Sequence, residues 1–379
     1  MQSENATEAG LPGGSAGQPH SLAVAMPRPR WQATASGGLR AGYSFAGLFL
    51  FILALELLKT GATGLEPILS RFSADGSLNL LGFGWLGSYV VMSGSPVAAI
   101  SLSLFASGTT SDVEAFAMLN GSRLGASFIV LFIGFLLWVS HKRSADGLYI
   151  GVVALLTAFT LWLPVLPIGI FVLEQGWFDG ISVGTPGAVN SFVDIAYEPI
   201  VTRIADSAPD LMVFVIGVGL LLTAFTVFDR ALPNLEAGAD GRFERLKEWF
   251  HKPLPMLGLG MAVTAVTLSV SISLTLLIPL SLKGYIRRNA IIPYVMGANI
   301  TTWVDTMVAA LLLDAPHAFT IVFTQMAVGA AISLTILVLF YKPYSAAIIN
   351  TANRITHDRR AFGAFMAAIL IVPMVLFLI

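Results

Sequence analysis

Nine stretches of mostly apolar residues recur along the chain: Tyr43–Thr60, Leu78–Ala106, Ala115–Ser140, Gly147–Leu173, Leu211–Phe228, Leu254–Leu282, Asn289–Leu313, Ala318–Phe340 and Phe362–Ile379. A helix needs about 20 such residues to cross a bilayer, so each is predicted to be a membrane segment. Two of the nine are unlike the rest. Ser93, Gly94, Ser95 and Pro96 interrupt Leu78–Ala106, and Ser269, Ser271 and Ser273 interrupt Leu254–Leu282. Glycine and proline break a helix in its middle, and serine favours caps and turns over helix interiors.

The polar connections set orientation, because short cytoplasmic loops collect Lys and Arg. Arg28, Arg30 and Arg40 precede the first segment and hold the N-terminus inside. His141, Lys142 and Arg143 mark one inner loop, residues 229–253 another with five basic residues (Arg230, Arg242, Arg245, Lys247, Lys252), and Lys342, Arg354, Arg359 and Arg360 a third. Residues 174–210 carry six acids against Arg203 alone and read as an outer loop.

Those signs leave one segment too many in each half. Between the first outward crossing and the Lys142 loop, two segments supply one net crossing, so the broken Leu78–Ala106 is expected to enter from outside and return. The second half repeats this with the sign reversed: Leu254–Leu282 leaves the inner 229–253 loop and returns to Lys283, Arg287 and Arg288. A shift of 176 positions lays Ser93 on Ser269, Ser95 on Ser271, Gly108 on Gly284 and Gly121 on Gly297. The expected fold is an all-α integral membrane protein of inverted-topology repeats, each with a re-entrant helical hairpin and a discontinuous helix. Residues 1–42 are expected to be a disordered cytoplasmic tail and 43–175 the first membrane repeat. An extracytoplasmic loop follows at 176–210 and the second repeat at 211–341; a cytoplasmic loop and final transmembrane helix fill 342–379.

Composition agrees with a multi-pass protein of the cell membrane. Of 379 residues 56% are hydrophobic and 11% charged, with mean hydropathy +0.80, whereas soluble domains carry about 25% charged residues. The net charge of -1 supplies no basic field for nucleic acid. With no cysteine, disulfides, thiolate metal sites and cysteine nucleophiles are excluded. The sequence holds no histidine cluster, nucleophile elbow or P-loop, so no enzyme and no cofactor is expected.

Inverted repeats with broken helices are the architecture in which secondary transporters place substrate and ion near the bilayer midplane. Unpaired backbone in hydrocarbon costs several kcal/mol per group, so the breaks are expected to face each other or a wet cavity. Candidate substrate-binding residues are Ser93, Gly94, Ser95, Ser122, Arg123, Ser269, Ser271 and Asn299. Candidate sodium ligands are Ser273, Thr275, Asn299, Thr301, Thr302 and Asp305. Helix N-termini and hydroxyls suit an oxyanion; carbonyls and hydroxyls suit sodium.

At these residues the chain resembles the type II sodium-phosphate cotransporter family. Gly297-Ala298-Asn299-Ile300-Thr301-Thr302 is similar to that family's second Gly-Ala-Asn-Ile-Gly-Thr motif, with Pro279, Gly284 and Pro293 at matching positions. Ala106-Ser107-Gly108 and the segment Gly121–Ser127 hold the first repeat's spacing. Met92 and Leu268 stand where the family has glutamines, and Arg123 where it has asparagine. The resemblance implies a secondary active transporter that takes up phosphate, or another small anion, through the lipid bilayer with sodium as coupling ion. The alternatives are a transporter of another small solute or a non-transporting sensor or scaffold on the same fold.

Duller roles stand beside these. Glycine and serine in apolar segments also let helices pack closely. Arg123 has two readings, an anion ligand or a structural ion pair with Asp112 or Glu114. So has Asp305, a sodium ligand or a buried hydrogen-bonded or protonated carboxyl. Gln325 reads as a helix-packing residue.

Overall fold

The computed structural model describes residues 37–65, 67, 76–137, 145–181, 183, 187–231, 252–270, 272–274, 276–277, 286 and 288–379. Every regular element among them is helical. Helix α1 is Gly37–Gly61, α2 Ser77–Val91, α3 Ser95–Ala106, α4 Asp112–Ala126, α5 Phe128–Leu137, α6 Ala145–Glu174 and α7 Gly187–Ala205. They are followed by α8 Asp210–Ala231, α9 Pro253–Thr267, α10 Arg288–Thr301, α11 Trp303–Leu312, α12 Pro316–Thr335, α13 Tyr341–His357 and α14 Arg359–Leu378. One π-helical turn, Ile336–Phe340, joins α12 to α13.

Among the described residues, seven helical stretches are long and apolar enough to cross a bilayer: 38–65, 112–136, 147–174, 210–231, 289–312, 317–357 and 359–378. The two apolar segments missing from that set are the interrupted ones. At about 1.5 Å per residue, α2 and α9 extend roughly 22 Å and α3 roughly 18 Å, short of a hydrocarbon core about 30 Å thick. The predicted tail (1–36 of it), the Lys142 loop, most of the 229–253 loop, Lys283 and Arg287 lie outside the described residues.

Helix bounds repeat at the offset read from the sequence. Ser77–Val91 is followed 176 positions later by Pro253–Thr267, and Asp112 by Arg288. Both α2 and α9 end on a residue in the left-handed region, Met92 at φ 56° and Leu268 at φ 48°. Neither is glycine, so each turn holds a strained backbone, at a cost of about 1–2 kcal/mol for an L-residue there. The helices after each turn are also joined alike. A Cβ on Gly84 would strike the Met118 carbonyl and one on Gly121 the Leu81 carbonyl; Gly260 and Tyr294, Gly297 and Leu257 repeat the arrangement. Small residues facing each other let α2 lie against α4, and α9 against α10, at backbone contact.

Around these pairs the rest is arranged. Helix α1 runs along α8, with Gly47 under Phe228 and Gly61 against Phe214. Helix α6 is the central post, in contact with α4, α5, α10, α12 and α13. It contributes Ala158, Trp162 and Val165 to one buried cluster, and Val152, Val153 and Leu161 to another. Helix α14 packs on α2: Asn79 Nδ2 donates to the Phe377 carbonyl at 3.3 Å and Tyr89 Oη to that of Ile369 at 3.0 Å.

Two stretches read as loops are helices. Residues 187–205 form α7, whose Val193, Tyr197 and Val201 are buried with Ile52, Leu53 and Leu57 of α1. Residues 341–357 form α13, with Ser345, Ile348, Ala352 and Ile355 buried on one face and Arg354 and His357 in its last turn. Counting charges placed these segments outside the bilayer; it could not detect the apolar stripes that fold them into helices.

Candidate functional site

The turns that follow α2 and α9 both open on one cavity of about 540 Å³. Met92, Ser93, Ser95 and Pro96 line it from the first turn, and Thr267, Leu268, Ser269 and Ile272 from the second. Asp305 and its neighbours Val304 and Val308 on α11 form another wall, and α1 and α8 the opposite one. The geometry follows from the breaks. Both α2 and α9 end in left-handed turns, and the residues of those turns line the cavity.

Asp305 is the most deeply placed charge on that wall. Its Oδ1 accepts from Thr306 N at 2.6 Å and Thr306 Oγ1 at 3.0 Å, while Oδ2 is buried with no hydrogen-bond partner among the described residues. The Ser95 hydroxyl lies close enough to interact with the carboxylate but outside hydrogen-bond geometry. Behind it is Arg123, 1% exposed, donating from Nη1 to Thr302 Oγ1 at 2.9 Å and from Nη2 to Thr306 Oγ1 at 3.0 Å. Its Cζ sits 4.0 Å from the Trp303 ring centroid, and Asp305 is the carboxylate whose charge acts on it. A buried guanidinium is costly without partners; here two hydroxyls and a ring face supply them with the Asp305 charge nearby, while Nε is buried with no hydrogen-bond partner among the described residues.

The expected partners Asp112 and Glu114 are therefore not those of Arg123. Glu114 is occupied in a capping box, with Oε2 accepting from Ser111 N at 2.7 Å and its own N–H donating to Ser111 Oγ at 3.4 Å. That cap starts α4 beside Asp112, at the opposite end of the helix from Arg123.

No protein-family model, curated protein or solved structure matches this chain. Its site is therefore read from its own geometry.

Of the sequence-predicted residues, Ser93, Ser95, Ser269 and Asp305 meet at the cavity. Gly94 stands behind the turn, where a Cβ would come within 2.8 Å of the Ser122 carbonyl. Others are spent on packing. Ser122 Oγ donates to the Leu119 carbonyl at 2.7 Å. Ser273 Oγ accepts from Thr264 at 2.8 Å and lies 3.0 Å from Tyr294 Oη, which stitches the second broken segment to α10. Asn299 accepts from Trp162 Nε1 at 3.4 Å and donates to the Val295 carbonyl at 2.9 Å. Thr302 receives Arg123, and Thr301 Oγ1 is buried without a partner among the described residues. Ser271 and Thr275 lie outside the described residues.

Arg123 and Asn299 occupy equivalent positions, 176 apart, and both reach the same aromatic pair. Trp162 and Trp303 meet edge to face, with centroids 5.5 Å apart. From there the polar contacts continue to Asn120, which donates to the Trp162 carbonyl at 2.9 Å and accepts from Gln325 Nε2 at 2.6 Å. Gln325 is a packing residue through its Nε2, as its position suggested. The α1 and α8 wall of the cavity escaped the sequence reading, its acidic residue included. Asp229, exposed on the α8 wall beside Thr226 and Phe228, sits at the end of an apolar run next to Arg230 and looked like the start of a loop.

Proposed function

We propose that this protein is a secondary active transporter in which two inverted repeats, each with a re-entrant hairpin, hold a solute and a coupling cation between their tips. The observation that carries the reading is the convergence of the turns after α2 and α9 on one cavity with the Asp305 carboxylate in its wall. In membrane proteins, irregular backbone at membrane depth belongs to ion and substrate sites.

Sodium is the coupling ion in this reading. A hard cation takes oxygen ligands, and Asp305 Oδ2 is a buried acceptor without a donor among the described residues, next to Ser95. The Arg123 side chain holds the rest of that carboxylate's surroundings in place through Thr306. Inorganic phosphate is the solute the family resemblance implies. It would sit against the hydroxyls of Ser93, Ser95 and Ser269, where α3 begins without a side-chain cap. By the positive-inside argument the α8 end carrying Asp229 is cytoplasmic, so the cavity faces inward.

The test is uptake of radiolabelled phosphate into proteoliposomes holding the purified protein. Uptake driven by an inward sodium gradient, and lost in Asp305→Asn, supports sodium-coupled transport. Uptake that ignores sodium and collapses with a protonophore reassigns the coupling to protons. Absence of flux for phosphate and other small solutes alike would favour a sensor or scaffold.

A further inference from the structure

The residues that line the cavity are of two chemical kinds. One is the hydroxyl-rich pair of hairpin tips. The other is built by α1 and α8 from Phe51, Phe225, Phe228, Thr226 and Asp229. There Phe51 meets Phe225 edge to face at 5.7 Å and 82°, and Phe228 at 6.4 Å and 69°. Asp229 directly follows Phe228 in sequence and lines the same cavity. Among the described residues, no Lys or Arg lines the cavity, while Asp229 and Asp305 both do.

Aromatic faces attract cations through the ring quadrupole, and organic ammonium groups, weakly hydrated and apolar on their surface, benefit most. A strongly hydrated inorganic ion gains little from phenylalanine. The cavity is also in the size range of sites for drug-sized organic molecules rather than single ions. We propose that the Phe51, Phe225, Phe228 and Asp229 wall of the cavity binds an organic ammonium group, so that the solute is an organic molecule carrying one in place of the free inorganic phosphate that the family resemblance implies. The inference rests on the transporter reading only in treating the cavity as a solute site. An ammonium at this wall and an anionic group at the hairpin tips would suit a zwitterion as well as a simple cation.

Binding to the full chain in detergent, followed by titration calorimetry, tests this without any flux. The probes are choline and tetramethylammonium, with sodium chloride as the inorganic control. Saturable binding of both probes is expected. Asp229→Asn should weaken it about 10-fold or more and Phe225→Leu about 3- to 10-fold, as loss of a charge partner and of a cation–π face predict. Asp229→Glu and Phe225→Tyr keep the charge and the ring, and should stay within about 3-fold of the parent; they also show that any loss is not misfolding. No saturable binding overturns the proposal, as does binding that the Asn and Leu variants leave unchanged. So does displacement of tetramethylammonium by sodium at equal concentration, which would make Asp229 an inorganic-cation site. Phosphate flux by a protein that binds neither probe would leave the transporter standing and remove this inference.

Discussion

The α2–α5 region and the α9–α11 region share a backbone plan and differ in what fills it. Both start with a 15-residue helix that stops at a left-handed non-glycine residue, and both lay it against the next long helix through a reciprocal glycine pair. At the two equivalent positions facing the centre, however, the first carries Arg123 and the second Asn299. Asn299 is satisfied by the Val295 carbonyl of its own helix and by Trp162. Arg123 reaches out of its region altogether, to Thr302 and Thr306, 179 and 183 positions away. Backbone packing depends on side chains being small, and therefore tolerates divergence elsewhere. A buried charge depends on specific partners, and those of Arg123 come from the other region: Thr302, Thr306 and the Trp303 ring, with the Asp305 charge beside them.

The likeness of the two halves is most exposed to a topology experiment, whose outcome is all or none. With no cysteine in the sequence, single cysteines can be labelled from either side. Residues near Ser77 and Ser111 should both react from outside, and residues near Lys252 and Arg287 both from inside. If the two members of either set react from opposite sides, the inverted-repeat reading is lost.

Next in size is the contrast at the centre. Arg123→Gln should lower stability by about 3–5 kcal/mol, because it strands the Asp305 carboxylate in a buried site, and adding Asp305→Asn should recover most of that. Asn299→Ala removes hydrogen bonds between neutral groups and should cost about 1–2 kcal/mol. Thermal unfolding in one detergent measures all three. Equal losses at Arg123 and Asn299, or no recovery in the double variant, would mean that Arg123 is not held as a charge partner of Asp305.

The glycine pairs should behave alike in both halves. Gly121→Ala and Gly297→Ala each place a methyl group into a facing carbonyl and should destabilise by about 1–3 kcal/mol, within error of one another. A large loss at one and none at the other would show that the two helix pairs do not share their packing. Smallest is the relief of strain at the turns. Met92→Gly and Leu268→Gly remove a Cβ from the left-handed region and should each stabilise by about 0.5 kcal/mol, the gain being partly offset by glycine's freedom when unfolded. Destabilisation at both would show that their side chains contribute more as cavity wall than they cost as strained backbone.

Much of the fold was legible along the chain because lipid imposes a one-dimensional rule: about 20 apolar residues make a crossing, and breaks and charges show where that rule fails. Seven of the nine predicted segments became helices of crossing length, and the two set apart by Ser93–Pro96 and Ser269–Ser273 did not. Helix α13 was also within reach, since Ser345, Ile348, Ala352 and Ile355 recur at steps of three and four. The site was harder. Ser93, Ser95, Ser269 and Asp305 were found because polar residues in apolar segments stand out. Asp229 was hidden by lying next to Arg230, where a run of hydropathy ends.

By itself the sequence determined the membrane class, the positions of the breaks and the 176-residue offset, all of which follow from local hydropathy, backbone propensity and spacing. Only the tertiary structure decided that Arg123 donates to Thr302 and Thr306, under the charge of Asp305, rather than pairing with Asp112 or Glu114. It alone separated the hydroxyls that line the cavity from Ser122 and Ser273, which close hydrogen bonds inside the packing, and it brought Asp229 to the aromatic wall. The reason is geometric. A donor or a charge is satisfied by whatever lies within about 3–4 Å of it, and in a bundle of crossing helices those neighbours come from segments more than a hundred residues away.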